Sequence, residues 1–213
     1  CLRFAADDLG VIIHTDTKVT NIQLLKSGYK VWSEKLSFDA KNVIIATGLY
    51  SGGEKYGCDG FMIDMLKKAG FKTVKTTPAI VQIKTQNDIT KQLKGIKVDA
   101  VASLKSDGKL IRQEFGEVLF CDYGLSGPPI MQISREVSRN DAVKTVSLDI
   151  MPDTDFNTLV EQITKRVKIM PQRVLEEFFT GLLNKRLGQV VLKSVGCKLG
   201  DKAETLNPNI IKK

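Results

Sequence analysis

The chain has 213 residues, enough for one large domain or two small ones, and its 42% hydrophobic and 26% charged content excludes disordered and fibrous classes. Its net charge is +8, but the surplus is lysine scattered singly or in pairs, with no interleaved aromatics. A solvated surface accounts for that pattern better than a focused, arginine-bearing nucleic-acid patch.

Cys1–Gly10 reads as the end of a helix already under way, so the chain is expected to be an excised piece of a longer protein. Val11–Thr15 and Lys18–Leu25 are predicted strands, with Asp16 in the turn between them. After Gly28, Tyr29–Ser33 alternates polar and apolar residues, and Leu36–Ala40 continues in that style, giving an antiparallel meander. The unbroken apolar run Val43-Ile44-Ile45-Ala46, bounded by Asn42 and Thr47 and followed by Gly48, predicts a strand buried on both faces. A glycine-rich turn from Gly48 to Gly60 leads into a predicted helix over 59–69. Asp59 would be its N-cap, Met62, Met65, Leu66 and Ala69 its apolar face, and Gly70 its terminator.

Pro78 opens another predicted strand, Ala79–Lys84, and Ile89–Gly95 reads as a short polar connection. Val98–Ser103, Lys109–Phe115, Glu117–Cys121 and Val143–Ile150 are further strand candidates, with a hairpin turn at Asp107-Gly108. From Met151 the apolar period becomes helical. Three helices are predicted: Phe156–Val167 after a start signal at Pro152-Asp153, Val174–Leu182 opened by Pro171, and Leu187–Val195 closed by Gly196. The fold class is therefore α+β, with a β-rich stretch followed by a small helical bundle.

Chemistry is harder to find. Gly48–Lys55 approximates a phosphate-binding P-loop, but Lys55 comes one residue late and Tyr56 stands where Ser or Thr should ligate magnesium. The dinucleotide fingerprint GxGxxG is absent from these residues. In Phe120–Met131, Ser126 or Gly127 can cap a helix whose first turn holds Pro128 and Pro129, and a plain strand-to-helix corner explains this better than an anion site. Cys1, Cys58, Cys121 and Cys197 are far apart, and His14 is the single histidine, too few ligands for a metal centre. Unpaired thiols suggest a reducing, cytoplasmic setting, with each cysteine a small buried hydrophobe before it is a reactive one. No apolar run approaches the roughly 20 residues of a membrane span. No residue stands out as catalytic.

Four segments in order carry a resemblance: Val43-Ile44-Ile45-Ala46-Thr47-Gly48, the glycine-rich stretch with Asp59-Gly60, Ala69-Gly70-Phe71 with Pro78-Ala79-Ile80-Val81, and Tyr123–Pro129. From Gly10 to about Ser194 the chain resembles the bacterial FAD-dependent flavoproteins grouped with aminoacetone oxidase and the dehydro-bile-acid reductases. The Tyr123–Pro129 segment is the most specific part of the match. The resemblance implies that residues 1–77 are the second portion of a Rossmann-like FAD domain. Residues 78–213 would then be an inserted domain, β-barrel-like over 78–150 and helical over 151–213. It also implies that Val19, Ala46, Thr47 and Gly48 lie beside the cofactor. Leu49 departs from the family by replacing a glycine, and Tyr56–Phe61 departs from a Gly-Ser-Thr-Gly-Asp-Gly-like run. The expected function is that of an oxidoreductase fragment, inactive alone and not retaining FAD. In the whole protein the expected partners are a small-molecule substrate, NAD(P)H as a candidate electron donor, and the missing segments of the FAD domain. No membrane is expected, and a basic nucleic-acid-binding module is the rival reading.

Overall fold

The computed structural model describes residues 1–86, 88–139 and 142–213, in two compact units, Cys1–Thr76 and Thr77–Lys213. The α+β class stands.

The first unit opens with helix α1 (Leu2–Asp8), carrying an exposed Arg3–Asp7 ion pair at 3.0 Å. The meander follows as β1 (Val19–Leu25), β2 (Gly28–Ser33) and β3 (Ser37–Ala40), paired antiparallel in that order. Ile22 lies opposite Val31 and is buried against Met62 and Met65 of α2 (Phe61–Lys68). Val19, Tyr29, Val31 and Val43 pack around these three side chains. The α2 cap sits one residue later than predicted: Gly60, at φ +72°, precedes the helix, while the Asp59 carboxylate accepts the Phe61 N–H at 3.0 Å.

Two predicted strands of this unit do not form. Val11–Thr15 and Val43–Ile45 run as irregular chain, and Ile12 and Ile44 are 80% and 93% exposed. A strand exists only where a neighbour supplies its ladder, and neither segment has a ladder partner among the described residues. The buried-strand expectation at Val43–Ile45 is thereby corrected.

The second unit is built on an antiparallel sheet of order β4-β7-β6-β5-β8: β4 (Ile83–Lys84), β5 (Lys97–Ser106), β6 (Lys109–Cys121), β7 (Gly124–Ser126) and β8 (Lys144–Asp149). The predicted hairpin turn is present, with Asp107 and Gly108 both at positive φ, the geometry that suits the right-handed twist of the flanking strands. The two predicted strands on either side of Gly116 are one, since Gly116 pairs with Ala100 and the ladder continues through it. The predicted strand Ala79–Lys84 is shorter, because only Ile83 and Lys84 find partners, on β7. The sheet stays open, yet Ile83–Thr85 and Lys144–Val146 from its two edges line one pocket, so it curls into a half-barrel.

Small residues on one face, Ala100, Ala102 and Gly116, let helix α4 (Pro128–Ser138) lie close, and its Ile130 and Ile133 are fully buried there. The predicted polar connection at Ile89–Gly95 contains a helical turn, α3 (Ile89–Gln92), held because Leu93 anchors it in the same core.

Of the predicted helices, α5 (Phe156–Ile169) and α6 (Lys185–Ser194) form, capped by the Asp155 carboxylate and the Asn184 amide oxygen. The helix predicted over Val174–Leu182 does not. The Leu175 and Glu176 amides donate to Asp201 and Leu199 across a bridge between Val174 and Lys202, leaving one turn of 3-10 helix at Leu175–Glu177. Arg166 holds the following loop, donating to the Phe178 carbonyl at 2.7 Å and the Thr180 carbonyl at 2.7 Å. The apolar spacing still does its work, because Leu175, Phe178 and Phe179 are the centre of a second core with Leu192 and Ala203. A last turn, α7 (Pro208–Ile211), packs on that core.

Two positions test this account. A Cβ at Gly127, where φ is +103°, would stand 2.2 Å from the Glu117 carbonyl oxygen, so Gly127→Ala must separate α4 from β6. We expect a loss above about 2 kcal/mol in a urea unfolding curve. Arg166→Met leaves two loop carbonyls without donors, and a loss of about 1–3 kcal/mol in the same measurement is expected.

Candidate functional site

Each unit offers one candidate. In the first, β3 leads through Val43 to Ala46-Thr47-Gly48 and the glycine-rich loop. Gly48 takes φ +73°, and Ala46, Thr47 and Gly48 are exposed. The Thr47 hydroxyl donates weakly to its neighbour, the Gly48 carbonyl, at 3.4 Å. Val19 lies apart from them: it starts β1 opposite Ser33 and packs in the cluster around Ile22. Among the described residues no hydrogen bond joins Val19 to the Ala46–Gly48 turn. What the two places share is the Ile22–Met62–Met65 cluster, on which both Val19 and Val43 rest. Leu49 is not at positive φ, so its β-carbon causes no backbone strain.

The loop is not a phosphate cradle. Lys55 lies in a 3-10 turn with its ammonium 5.6 Å from the centre of the Tyr56 ring. At the α2 N-terminus the Phe61 N–H, one of the donors an anion would need, is already taken by Asp59. Cys58 is folded back into the loop, its sulfur 3.5 Å from where a Gly48 β-carbon would be and 3.7 Å from the Tyr56 carbonyl oxygen.

In the second unit the corner at Phe120–Pro129 divides into two. Its later half is packing: Pro129 contacts Gly116, Gly127 abuts the Glu117 carbonyl, and two prolines remove two of the helix's free donors. That agrees with a structural corner. Its earlier half is a tight turn at Asp122-Tyr123, between Cys121 and its ladder partner Gly124, and it gathers polar groups that the sequence did not connect. The Tyr123 hydroxyl donates to the Gln82 side-chain oxygen, and the Tyr123 carbonyl accepts the Thr85 N–H at 3.1 Å. Asp122 pairs with Lys94 at 2.7 Å, which lowers the carboxyl and raises the ammonium from their ordinary ranges. Gln82 and Lys94 are 41 and 28 residues from their partners, a separation that no local motif reveals.

The Tyr123 phenol is held above the ordinary tyrosine range, first by hydrogen bonding with Cys121, then by partial burial and by the charges of its neighbours Cys121 and Asp122. Such a group stays protonated and can donate. No group of three or more His, Cys, Asp or Glu side chains that could hold a metal occurs among the described residues, and all four cysteines are free. Among the described residues no helix is long and apolar enough to cross a membrane.

Residues 77–213 match the family model described as HI0933-like protein barrel and H2TH domain. A curated relative, the 3-dehydro-bile acid delta(4,6)-reductase of Clostridium scindens, is 25% identical over 180 residues. That alignment takes in 83% of this chain and 44% of the relative, so the chain spans less than half the length of the protein it matches.

The Tyr123 environment is testable by alkaline spectrophotometric titration of the four tyrosines. Subtracting the curve of Tyr123→Phe from that of the parent should isolate a midpoint above the ordinary value of about 10, and Cys121→Ala should lower it. The folded value is raised, so the stabilisation is present below the ordinary value and lost as pH rises through the folded one. A difference curve centred at the ordinary value would contradict the described contacts.

Proposed function

This chain belongs to the flavoprotein family that carries the HI0933-like barrel and H2TH domain, and from that membership we propose that it is the middle part of a FAD-dependent oxidoreductase. The observation that carries the reading is the family match across the whole second unit, from residue 77 to the last residue, joined to a relative that is a reductase. On this reading the second unit is the inserted, substrate-side domain and the first is a portion of the flavin layer. Val19, Ala46, Thr47 and Gly48 then approach the cofactor through backbone, which suits the exposure of Ala46, Thr47 and Gly48 and the positive φ of Gly48. FAD supplies the redox chemistry; the chain supplies position and electrostatics.

Support also comes from the first unit's coverage. Its buried apolar side chains are Ile22, Met62 and Met65, while Val11, Ile12, Ile13, Ile44, Ile45 and Val74 are exposed. A Rossmann-like layer needs further strands to cover such segments and a glycine fingerprint to hold the FAD pyrophosphate, and these residues contain no fingerprint. Those segments of the same protein are its first partners. The substrate is a small molecule, NAD(P)H a candidate electron donor, and the unpaired thiols fit a cytoplasmic setting.

Two preparations test the proposal. The complete polypeptide containing this chain should purify yellow, with about one flavin per chain that is released as FAD on heating, and Gly48→Val in it should lower flavin occupancy several-fold. The 213-residue chain alone should show no saturable quenching of FAD fluorescence. A complete protein free of flavin would remove the oxidoreductase reading, and stoichiometric flavin in the isolated chain would show that the anchor lies within it.

A further inference from the structure

A pocket of about 310 Å³ lies within the second unit, between the sheet and α6. Phe120, Leu125, Val146 and Leu148 form its floor, and Leu187 and Val191 of α6 form the facing wall. Its end is closed by α3, and the closure is fastened from a distance: the Arg186 guanidinium donates to the Gln92 carbonyl and, at 3.5 Å, to the Lys94 carbonyl. The volume falls at the lower end of small-molecule sites, about 300–1,000 Å³.

The chemistry of the lining is selective. Among the described residues no ionisable side chain lines the pocket. A charged group placed there would lose hydration with nothing to replace it. The polar feature at the α3 end is a pair of hydroxyls, Thr85 and Thr90, whose oxygens are 3.1 Å apart, with Thr90 only 4% exposed. Two hydroxyls in one hydrogen bond use one proton, so the pair keeps a second O–H, and no partner takes it among the described residues. A spare donor at the end of an apolar pocket asks for an acceptor oxygen.

We propose that this pocket binds a neutral, mainly hydrocarbon small molecule carrying a carbonyl oxygen. The oxygen accepts from the Thr85–Thr90 pair and the hydrocarbon lies between the sheet and α6. Every group involved belongs to Thr77–Lys213, so the inference does not depend on the flavin reading.

The test uses the 213-residue chain with the neutral fluorophore N-phenyl-1-naphthylamine, displaced by 2-decanone or by decanoate, which share a chain length and differ in charge. Saturable fluorescence should appear, 2-decanone should displace it, and decanoate should need at least about tenfold more. Val191→Trp fills the pocket from its rim and should abolish the saturable component. Any signal from exposed apolar surface elsewhere would survive that change. Thr90→Val keeps the shape and removes the hydroxyl, so it should weaken 2-decanone about fivefold, one neutral hydrogen bond, and leave the fluorophore unaffected. The proposal is overturned by no saturable component, by equal displacement with decanoate, or by unchanged binding in a Val191→Trp chain that melts like the parent. Should that variant unfold, the ketone-to-fluorophore affinity ratio of Thr90→Val decides: an unchanged ratio overturns the placement.

Discussion

The second unit depends on one close approach, the crossing of α4 over β6. Gly127 comes so near the Glu117 carbonyl that a β-carbon has no room, and Pro129 rests on Gly116. Because that crossing is tight, Ile130 and Ile133 reach the small floor of Ala100 and Ala102 and are sealed from water. Ser134, on the next turn, accepts the Val81 N–H at 3.1 Å while donating to the Met131 carbonyl at 2.7 Å, which draws the chain ahead of β4 onto the helix. The same strand face ends in Arg112 and Glu114, paired at 2.6 Å opposite Leu104 and Ala102, so the apolar floor has a polar limit. Glycine at the crossing and alanine beneath it are therefore geometric requirements before they are hydrophobic ones.

The first unit has no comparable crossing. Its meander pairs through three strands, and one face is covered by α2, whose Met62 and Met65 are buried with Phe61 and Leu66 beside them, and by Val43. Methionine fills irregular space without fixing it. The contrast explains why the two units differ in what they show of a site. In the second, side chains far apart in sequence are brought to defined distances. In the first, Ala46, Thr47 and Gly48 remain exposed, while Val19 packs in the small cluster around Ile22.

Periodicity in the sequence was a sound guide wherever a segment had both a ladder or helix partner and a core to face. The meander, β5, β6, α5 and α6 all meet that condition, and their alternation or helical spacing reports it. Val11–Thr15 and Val43–Ile45 carry the same apolar signal without a neighbour, and composition cannot reveal a missing neighbour. Val174–Leu182 fails for another reason. Its spacing is helical, but the amides that a helix would use are spent on Leu199 and Asp201, and Arg166 takes the carbonyls that follow. Long-range hydrogen bonds overrode local propensity there. The Gln82–Tyr123 and Lys94–Asp122 contacts were invisible for the same reason: the first is created where β4 pairs with β7, and the second where the chain entering β5 pairs with the end of β6.

The glycine-rich loop shows how far geometry narrows a motif. Glycines, lysine and helix follow one another much as in a nucleotide loop, yet no strand forms ahead of them among the described residues, and three of the loop's polar side chains are already engaged within the chain. Asp59 holds the helix amide, Lys55 lies by the Tyr56 ring, and the Cys58 sulfur sits against the loop backbone. An anion arriving there would compete with a carboxylate that is covalently tethered and always present. What remains free for a ligand is main chain at Ala46, Thr47 and Gly48, in an irregular segment and not at a helix N-terminus, where phosphate-binding amides are gathered. A flat, largely apolar ring system held elsewhere is the kind of ligand that such a segment can border, and the proposed flavin role asks no more of it than that.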